Sequence, residues 1–559
     1  MTDAGGRKVL TTWASHLAAS LVQAGVENVV VSPGSRSTPF LLALHRHPAL
    51  RLHPVIDERA AAFFALGLVR TTARPVALLC TSGSAPAHYA PAVLEASEAG
   101  LPLVVLSADR PSRLAHSGAP QTTDQTRLYG RHTRFFADLG DPSEYGVRAM
   151  QRSVATAVSR ARGPRPGPVQ INARADKPLE PDPNVTPVAD GGPRVTPSRL
   201  AAASDDAVDR IARVLRGAER PAVIAGPMGF EARALRPVVE QLVARGVALY
   251  AECTSQLRLG FPGALRLEAL DLWIHDTAPD AILEIGATAT SAPYLRWVAQ
   301  ADVRRVVLAT HPRDPSANAD EIVVADVPST LQRLAERLDR KPHAGWAASI
   351  QARETRAWAA VDEALTPWGE AQALRIVAHA LPDEALLALG NSLPIRHADR
   401  ALRATDTNAT VLSQRGVNGI DGWVAGATGA AVGSGLPVVC VIGDVTLAHD
   451  ASSLALARGV TTPLVFVVLD NAGGRIFERL PIAHVADDEA MALFRTPPEL
   501  NMRALAGAYG VQFDEAEDTQ RARQTLDEAL SVNGPTLLRW VVPPDGAERV
   551  EAQIRDALA

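Results

Sequence analysis

A chain of 559 residues, 47% hydrophobic and 21% charged, is long enough for three or four globular units and ordinary in composition for them. A net charge of −5 and the lack of any Lys/Arg run exclude a nucleic-acid partner, so an anionic ligand must be held by individually placed cations. The opening MTDAGGRKVLTTWASHL has no continuous apolar stretch of the signal-peptide kind. Cys80, Cys253 and Cys440 are widely separated, without zinc or redox spacing, which fits buried thiols in a reducing, cytoplasmic compartment.

From Leu10 the pattern alternates helix and strand: TTWASHLAASLVQAG, NVVVSPGS, a helix through FLLALHRH, RLHPVI, and the helix ERAAAFFALGLVR. PVALLC, a helix beginning near Ala85, and LPLVVLSADRP follow. Short apolar runs between amphipathic helices predict a parallel, doubly wound sheet with Pro and Gly at the strand ends. Lys177–Ser198 is rich in Pro and polar residues, has no periodicity, and reads as a linker. A second α/β unit starts at PAVIAGPMGFEARAL and runs through AILEIG and RRVVLAT to about Ala335. Its Gly226 and Gly229 fall short of a dinucleotide fingerprint, since GPMG is not GxGxxG and no acid stands at the ribose position. DRKPHAGW leads to a third unit from about Trp358 to the end, with ALLALGNS, ATVLSQRG, PVVCVIGD, PLVFVVLDN and PTLLRWVV. The fold class expected is therefore α/β, with three doubly wound parallel-sheet domains at residues 1–180, 199–340 and 358–559. The first and third share a rhythm without repeating sequence. Gly422–Gly443 carries no charge, but its glycines and Pro437 split it into a small-residue helix and a short strand. Neither alone spans a bilayer, so the segment reads as buried interior, with no membrane insertion.

Two strand ends in the third unit carry chemistry. Asp444 directly follows PVVCVIG, and Asn471 follows PLVFVVLD 27 positions later. A carboxylate and an amide oxygen at adjacent strand ends, with Gly473 letting a backbone carbonyl come close, suit a hard octahedral cation that also holds a phosphate. Magnesium carrying a diphosphate is the expected occupant. The bland alternative is that Asp444 and Asn471 cap the helices that follow. Glu58, at the beginning of ERAAAFFALG, has a similar alternative, because acids at helix N-termini are mildly stabilising.

The spaced GD and N resemble the cofactor motif of thiamine-diphosphate enzymes. SPGSRSTP (Ser32–Pro39), IDERAAAFFALG, TSGSA, LSADRP, GAPQ (Gly118–Gln121), GNSLPIR, QRGVNGIDG and GDVTLAHD together resemble the 2-succinyl-5-enolpyruvyl-6-hydroxy-3-cyclohexene-1-carboxylate synthases. These are the menaquinone-pathway branch of that superfamily, and the resemblance covers the first and third units nearly completely. It implies a thiamine-diphosphate-enzyme fold with a pyrimidine-binding domain at 1–180, a central domain at 199–340 and a diphosphate- and magnesium-binding domain at 358–559.

The same resemblance implies site roles. Glu58 would activate the cofactor at N1′ of its aminopyrimidine. Ile420 would hold thiamine bent, and Ser82 and Gly83 of TSGSA would bind the cofactor. Asp444, Asn471 and the Gly473 carbonyl would bind magnesium, or manganese in its place. Ser35, Arg36, Arg110, Gln121, Ser392, Arg396 and Arg415 would line the substrate pocket, with Arg36 and Gln121 taking part in catalysis and Ile476 and Phe477 forming an apolar wall. The implied substrates, 2-oxoglutarate and isochorismate, are dianions, and arginine forks bind carboxylates bidentately. Carbon dioxide would leave 2-oxoglutarate, and the remaining four-carbon unit would add in 1,4 fashion to isochorismate inside walls that exclude water. A homodimer or homotetramer with active sites between subunits is implied as well.

The chain departs from the family pattern in two places. Ala292 and Pro293 stand where several members carry basic residues that help hold isochorismate, with Arg296 nearby on a helix expected to aim it elsewhere. Gln414 stands where Asn is usual. Two other readings compete: a different thiamine-dependent 2-oxoacid decarboxylase or carboligase, and a non-catalytic binding protein of the same fold.

Overall fold

Three parallel sheets flanked by helices make up the computed structural model, which describes residues 3–559. The first contains β1 (Asn28–Val31), β2 (Arg51–Pro54), β3 (Val76–Cys80), β4 (Leu103–Asp109), β5 (Phe136–Asp138) and β6 (Val169–Arg174), in the order β2-β1-β3-β4-β6-β5. The second has β7 (Pro221–Ala225), β8 (Ala248–Ala251), β9 (Ala281–Ile285), β10 (Arg304–Ala309) and β11 (Glu321–Val324), in the order β11-β10-β9-β7-β8. The third has β12 (Leu386–Leu389), β13 (Thr410–Leu412), β14 (Val438–Gly443), β15 (Pro463–Asp470), β16 (Gln512–Ala516) and β17 (Gly534–Val541), in the order β13-β12-β14-β15-β17-β16.

Counted from its own first strand, the third sheet repeats the order of the first, which explains the shared rhythm without shared sequence. Strands such as β3, β4 and β7 are buried along their whole length, as strands covered on both faces must be, and so read as continuous apolar runs. In the first and third sheets the order reverses beside the opening strand, between β1 and β3 and between β12 and β14. Ligands of open α/β sheets bind at such reversals, beyond the carboxyl ends of the strands.

The chain forms two compact units, one of residues 1–199, 414–435 and 452–457, the other of residues 200–413, 436–451 and 458–559. The charge-free segment is interior, as its composition requires, and its helix Trp423–Ser434 belongs to the first unit. There it packs on the helix Glu58–Thr72. A Cβ on Gly67 would lie 2.1 Å from the Gly426 carbonyl oxygen, and one on Gly429 would lie 2.0 Å from the Phe64 carbonyl oxygen. The glycines thus let the two backbones touch. Among the described residues no helix is long and apolar enough to cross a membrane.

Three local expectations change. Lys177–Ser198 is irregular, but it is a strap fastened to the first unit rather than a free linker. Thr11 Oγ1 accepts from the Asp182 N–H at 2.9 Å, Ser15 Oγ accepts from the Val188 N–H at 2.7 Å, and Gln151 Nε2 donates to the Asp190 carbonyl at 2.9 Å. A Pro-rich backbone outside a sheet must find such partners wherever it is covered. Trp358 lies inside the helix Ala344–Ala364 rather than at an element's start, in a core shared with residues of the second and third sheets such as Ile282 and Val465. The helix expected from Ala85 starts with a 3-10 stretch, Ala85–Tyr89, and becomes α-helical at Ala90. All three cysteines are buried and none is in a disulfide. Gly226 serves packing, since a Cβ there would lie 2.0 Å from the Ala287 carbonyl oxygen.

Candidate active site

In the first unit, the loops leaving β1 and β3 cross at Gly34, where a Cβ would lie 2.4 Å from that of Thr81. This seats Arg36 in a 3-10 turn, Ser35–Ser37, with its backbone N–H donating to Thr81 Oγ1 at 3.3 Å. The Arg36 side chain is buried, Nη1 donates to the Ala175 carbonyl at 2.6 Å, and Nε has no protein partner. Burial, with the charge of Arg110 beside it, lowers the guanidinium pKa. Ser35 is exposed on the same turn. Arg110, just past β4, donates from Nη1 to Ser82 Oγ at 3.1 Å and from Nη2 to the Pro120 carbonyl at 3.1 Å. Ser82 Oγ donates to the Gln121 carbonyl and Gln121 Nε2 to the Ser82 carbonyl, both at 3.1 Å. Gly83, at φ +87°, leaves room for the Gln121 side chain, and Gln121 itself holds a left-handed φ of 56°. Arg36, Ser82, Gly83, Arg110 and Gln121, far apart in sequence, therefore form one connected cluster.

Glu58 lies half-buried in the first turn of its helix and is not the cap. Asp57 is: its carboxylate accepts from the N–H groups of Arg59 and Ala60. Capping is thus not the role of Glu58, although a first-turn acid still favours the helix electrostatically. Phe63 of the same helix packs over Gly422, at the end of the loop that carries Arg415 and Ile420, both half-buried. That loop is held by a residue not singled out from the sequence. Buried Glu95 accepts from the N–H groups of Gly416 at 3.1 Å and Val417 at 2.8 Å, and pairs with Arg70 at 2.8 Å.

In the second unit, β14 and β15 are parallel neighbours, with Gly443 opposite Leu469, so Asp444 and Asn471 stand at adjacent strand ends. Asp444 is buried and accepts from the Val445 N–H at 2.8 Å and from the Gly473 N–H at 2.7 Å. Burial, with nearby Asp470, pushes its carboxyl up to about 6. Gly473 takes φ +113°, with a Cβ position 2.3 Å from the Arg495 carbonyl oxygen, so only glycine fits. Asn471 caps nothing: its Nδ2 donates to Glu370, and its Oδ1 is buried without a protein partner. Glu370 is also bonded to His397. Burial opposes its charge, but His397, Asn471 and Arg479 outweigh that and hold the carboxyl below the usual range.

Ser392, at φ 72°, is the residue before the helix Leu393–Ala401, and Arg396 one turn on donates from Nη1 to its carbonyl at 2.6 Å. Ile476 and Phe477 lie half-buried in the 3-10 turn Arg475–Arg479, Phe477 5.4 Å from the ring of Phe494. Arg475 Nε donates to the Asn471 carbonyl at 3.0 Å, tying this turn to the end of β15. Ala292 and Pro293 open the helix Ala292–Val298, and Arg296 is exposed four residues on. Residues at i and i+4 share a helix face, so the expectation that Arg296 points away from position 292 was wrong.

The donor set at β14 and β15 fits a diphosphate-bound cation. Among the described residues no group of three or more His, Cys, Asp and Glu could hold a metal by itself. Here a carboxylate and an amide oxygen without a protein partner stand at adjacent strand ends, and a hard cation that prefers six oxygens would take the rest from phosphate and water. Glu370, His397 and Glu95 escaped the sequence reading because their partners lie far away, 101 residues for Glu370 and Asn471 and 321 for Glu95 and Gly416. An acid directly after the apolar run APAVL was the available signal for Glu95.

Residues 11–128 match the family described as thiamine pyrophosphate enzyme, N-terminal TPP binding domain, and residues 397–540 its C-terminal TPP binding domain counterpart. The chain is also similar, nearly end to end, to proteins named 2-succinyl-5-enolpyruvyl-6-hydroxy-3-cyclohexene-1-carboxylate synthase. It is 39% identical to that of Sorangium cellulosum, over 98% of this chain and 95% of the relative. It is 38% identical to that of Geobacillus kaustophilus, over 94% of each. With that of Haloarcula marismortui it shares 34% identity, over 99% of this chain and 98% of the relative.

Proposed function

The chain belongs to the 2-succinyl-5-enolpyruvyl-6-hydroxy-3-cyclohexene-1-carboxylate synthase family, and from that membership we infer what its residues do. It is a thiamine-diphosphate-dependent transferase of menaquinone biosynthesis. It decarboxylates 2-oxoglutarate and adds the four-carbon remainder to isochorismate in a 1,4-addition, with loss of carbon dioxide. The observation that carries the residue-level reading is the pairing of Asp444 with the open Oδ1 of Asn471 at adjacent strand ends.

Bound thiamine diphosphate supplies the nucleophilic carbon and the electron sink that decarboxylation needs. Glu58 would hold and move the proton at N1′ of the aminopyrimidine, and Ile420 would pack against the cofactor as an apolar support. Ser82 and Gly83 border the cofactor. Asp444, Asn471 and the Gly473 carbonyl hold magnesium, or manganese, and through it the diphosphate. Arg36 and Arg110, braced by Ser82 and Gln121, orient substrate carboxylates together with Ser35, Ser392, Arg396 and Arg415. Ile476 and Phe477 keep water from the reacting carbon. The domain limits 1–180, 199–340 and 358–559 go with this reading, supported by one complete sheet within each. So does a homodimer or homotetramer with active sites between subunits. Ile56, two residues before Glu58, is 90% exposed, which supports a covering subunit. Three buried cysteines outside any disulfide support a reducing cytoplasm.

The test supplies both substrates with thiamine diphosphate and magnesium, and follows carbon dioxide and the adduct by mass spectrometry. Equal amounts of the two are expected. Carbon dioxide without adduct would favour a simple 2-oxoacid decarboxylase.

A further inference from the structure

Asn471 is useful to a cation only if its amide turns the oxygen, not the nitrogen, toward Asp444 and the Gly473 turn. An amide in a pocket has two orientations of nearly equal shape, so something must break the tie. Glu370 opens the helix Glu370–Ala380 and is buried, with both carboxylate oxygens engaged: Oε1 accepts from Asn471 Nδ2, and Oε2 faces His397 Nε2. A carboxylate offers only acceptors, so it bonds the NH2 side of the amide and rejects the oxygen. The Asn471 oxygen is thereby turned away from Glu370, and it is the buried atom left without a protein partner.

We propose that Glu370, fixed in place by His397, is a positioning residue that sets the amide orientation of Asn471 and so prepares the cation site before the cation arrives. This rests on the reading of Asn471 as a magnesium ligand. His397 lies on the helix Leu393–Ala401, next to Arg396 and five residues after Ser392, so the same chain of bonds joins the cation site to the helix that carries Arg396 and that Ser392 precedes. Outer partners of this kind fix ligand orientation and set affinity without touching the metal.

The experiment is a manganese titration of the full-length enzyme with thiamine diphosphate and no substrate, read by the electron paramagnetic resonance signal of free manganese. Glu370→Gln is expected to weaken manganese binding by roughly 10- to 100-fold. A Gln side chain can donate to the amide oxygen and restore the ambiguity. In an Asn471→Ala background the same change should cost nothing further, because Glu370 acts through Asn471. A merely structural Glu370 would cost as much in both backgrounds and would lower the unfolding temperature of the metal-free protein. Should Glu370→Gln not fold, His397→Gln decides, with weaker manganese binding expected and unchanged binding overturning the proposal. If the unaltered enzyme and Asn471→Ala bind manganese equally, Asn471 is no ligand and the underlying reading fails. If only Glu370→Gln is without effect, that reading stands and this inference falls.

Discussion

Glu58 begins its helix beside an Asp that already does the capping, so its own carboxylate is not committed to the cap. Glu58→Gln should therefore cost little stability while lowering turnover by roughly 10²- to 10⁴-fold, the usual worth of a general acid–base group. Steady-state rates with a parallel cofactor titration check this, and unchanged turnover would remove Glu58 from the chemistry. A second residue predicts a pH effect. His53, on β2, is bonded to Asn28 Oδ1 at 3.0 Å and packs on Phe64, and burial with nearby Arg51 lowers its pKa to about 4. The folded state thus binds fewer protons than the unfolded state between the unfolded value near 6.5 and about 4, so stability is lost as pH falls through that window. Unfolding temperatures measured from pH 7 to 4.5 should fall less steeply in His53→Gln than in the parent, and parallel curves would contradict the assignment. The positions of Asp444 and Asn471 were legible because each directly follows an apolar strand. Glu370 was not, because an acid at a helix start has an ordinary explanation and its partner is 101 residues away.

At the scale of elements, the loop carrying Arg415 and Ile420 is a test of how far one buried acid controls local geometry. Glu95 chelates two successive backbone N–H groups and neutralises Arg70, which is itself largely buried. Removing one member of such a pair strands the other, at a cost of about 3–5 kcal/mol. Glu95→Gln should destabilise the protein by that order and raise the KM for substrate by loosening Arg415. Adding Arg70→Leu should recover part of the stability, by removing the stranded charge, but leave the KM defect. Calorimetry and initial rates separate the two effects, and a KM restored along with stability would show that the loop does not depend on Glu95. The strands and most helices could be read from periodicity, since parallel strands are apolar throughout. The strap at Lys177–Ser198 could not, because hydroxyls of Thr11 and Ser15 hold it, and nothing in a Pro-rich run announces where it will dock.

For the whole molecule, two sheets of identical strand order place candidate site residues at their reversal points, the loops after β1 and β3 in one and after β12 and β14 in the other. That order was hidden from the sequence, which shows rhythm but not which strands lie side by side. Assignment of the helix Trp423–Ser434 to the first unit was equally hidden, since it depends on which backbone the glycines face. The assembly proposed above has a consequence at this scale. An isoleucine left 90% exposed gains about 1.5–3 kcal/mol when a second subunit covers it, and a carboxylate in its place would have to be desolvated instead. Ile56→Asp should therefore weaken self-association by roughly tenfold or more, seen by sedimentation across a dilution series, while the fold of each subunit persists by circular dichroism. If each active site draws on two subunits, turnover per subunit should fall on dilution in step with the oligomer and return at high concentration. Full turnover in a monomeric Ile56→Asp protein would mean that one chain completes its own site.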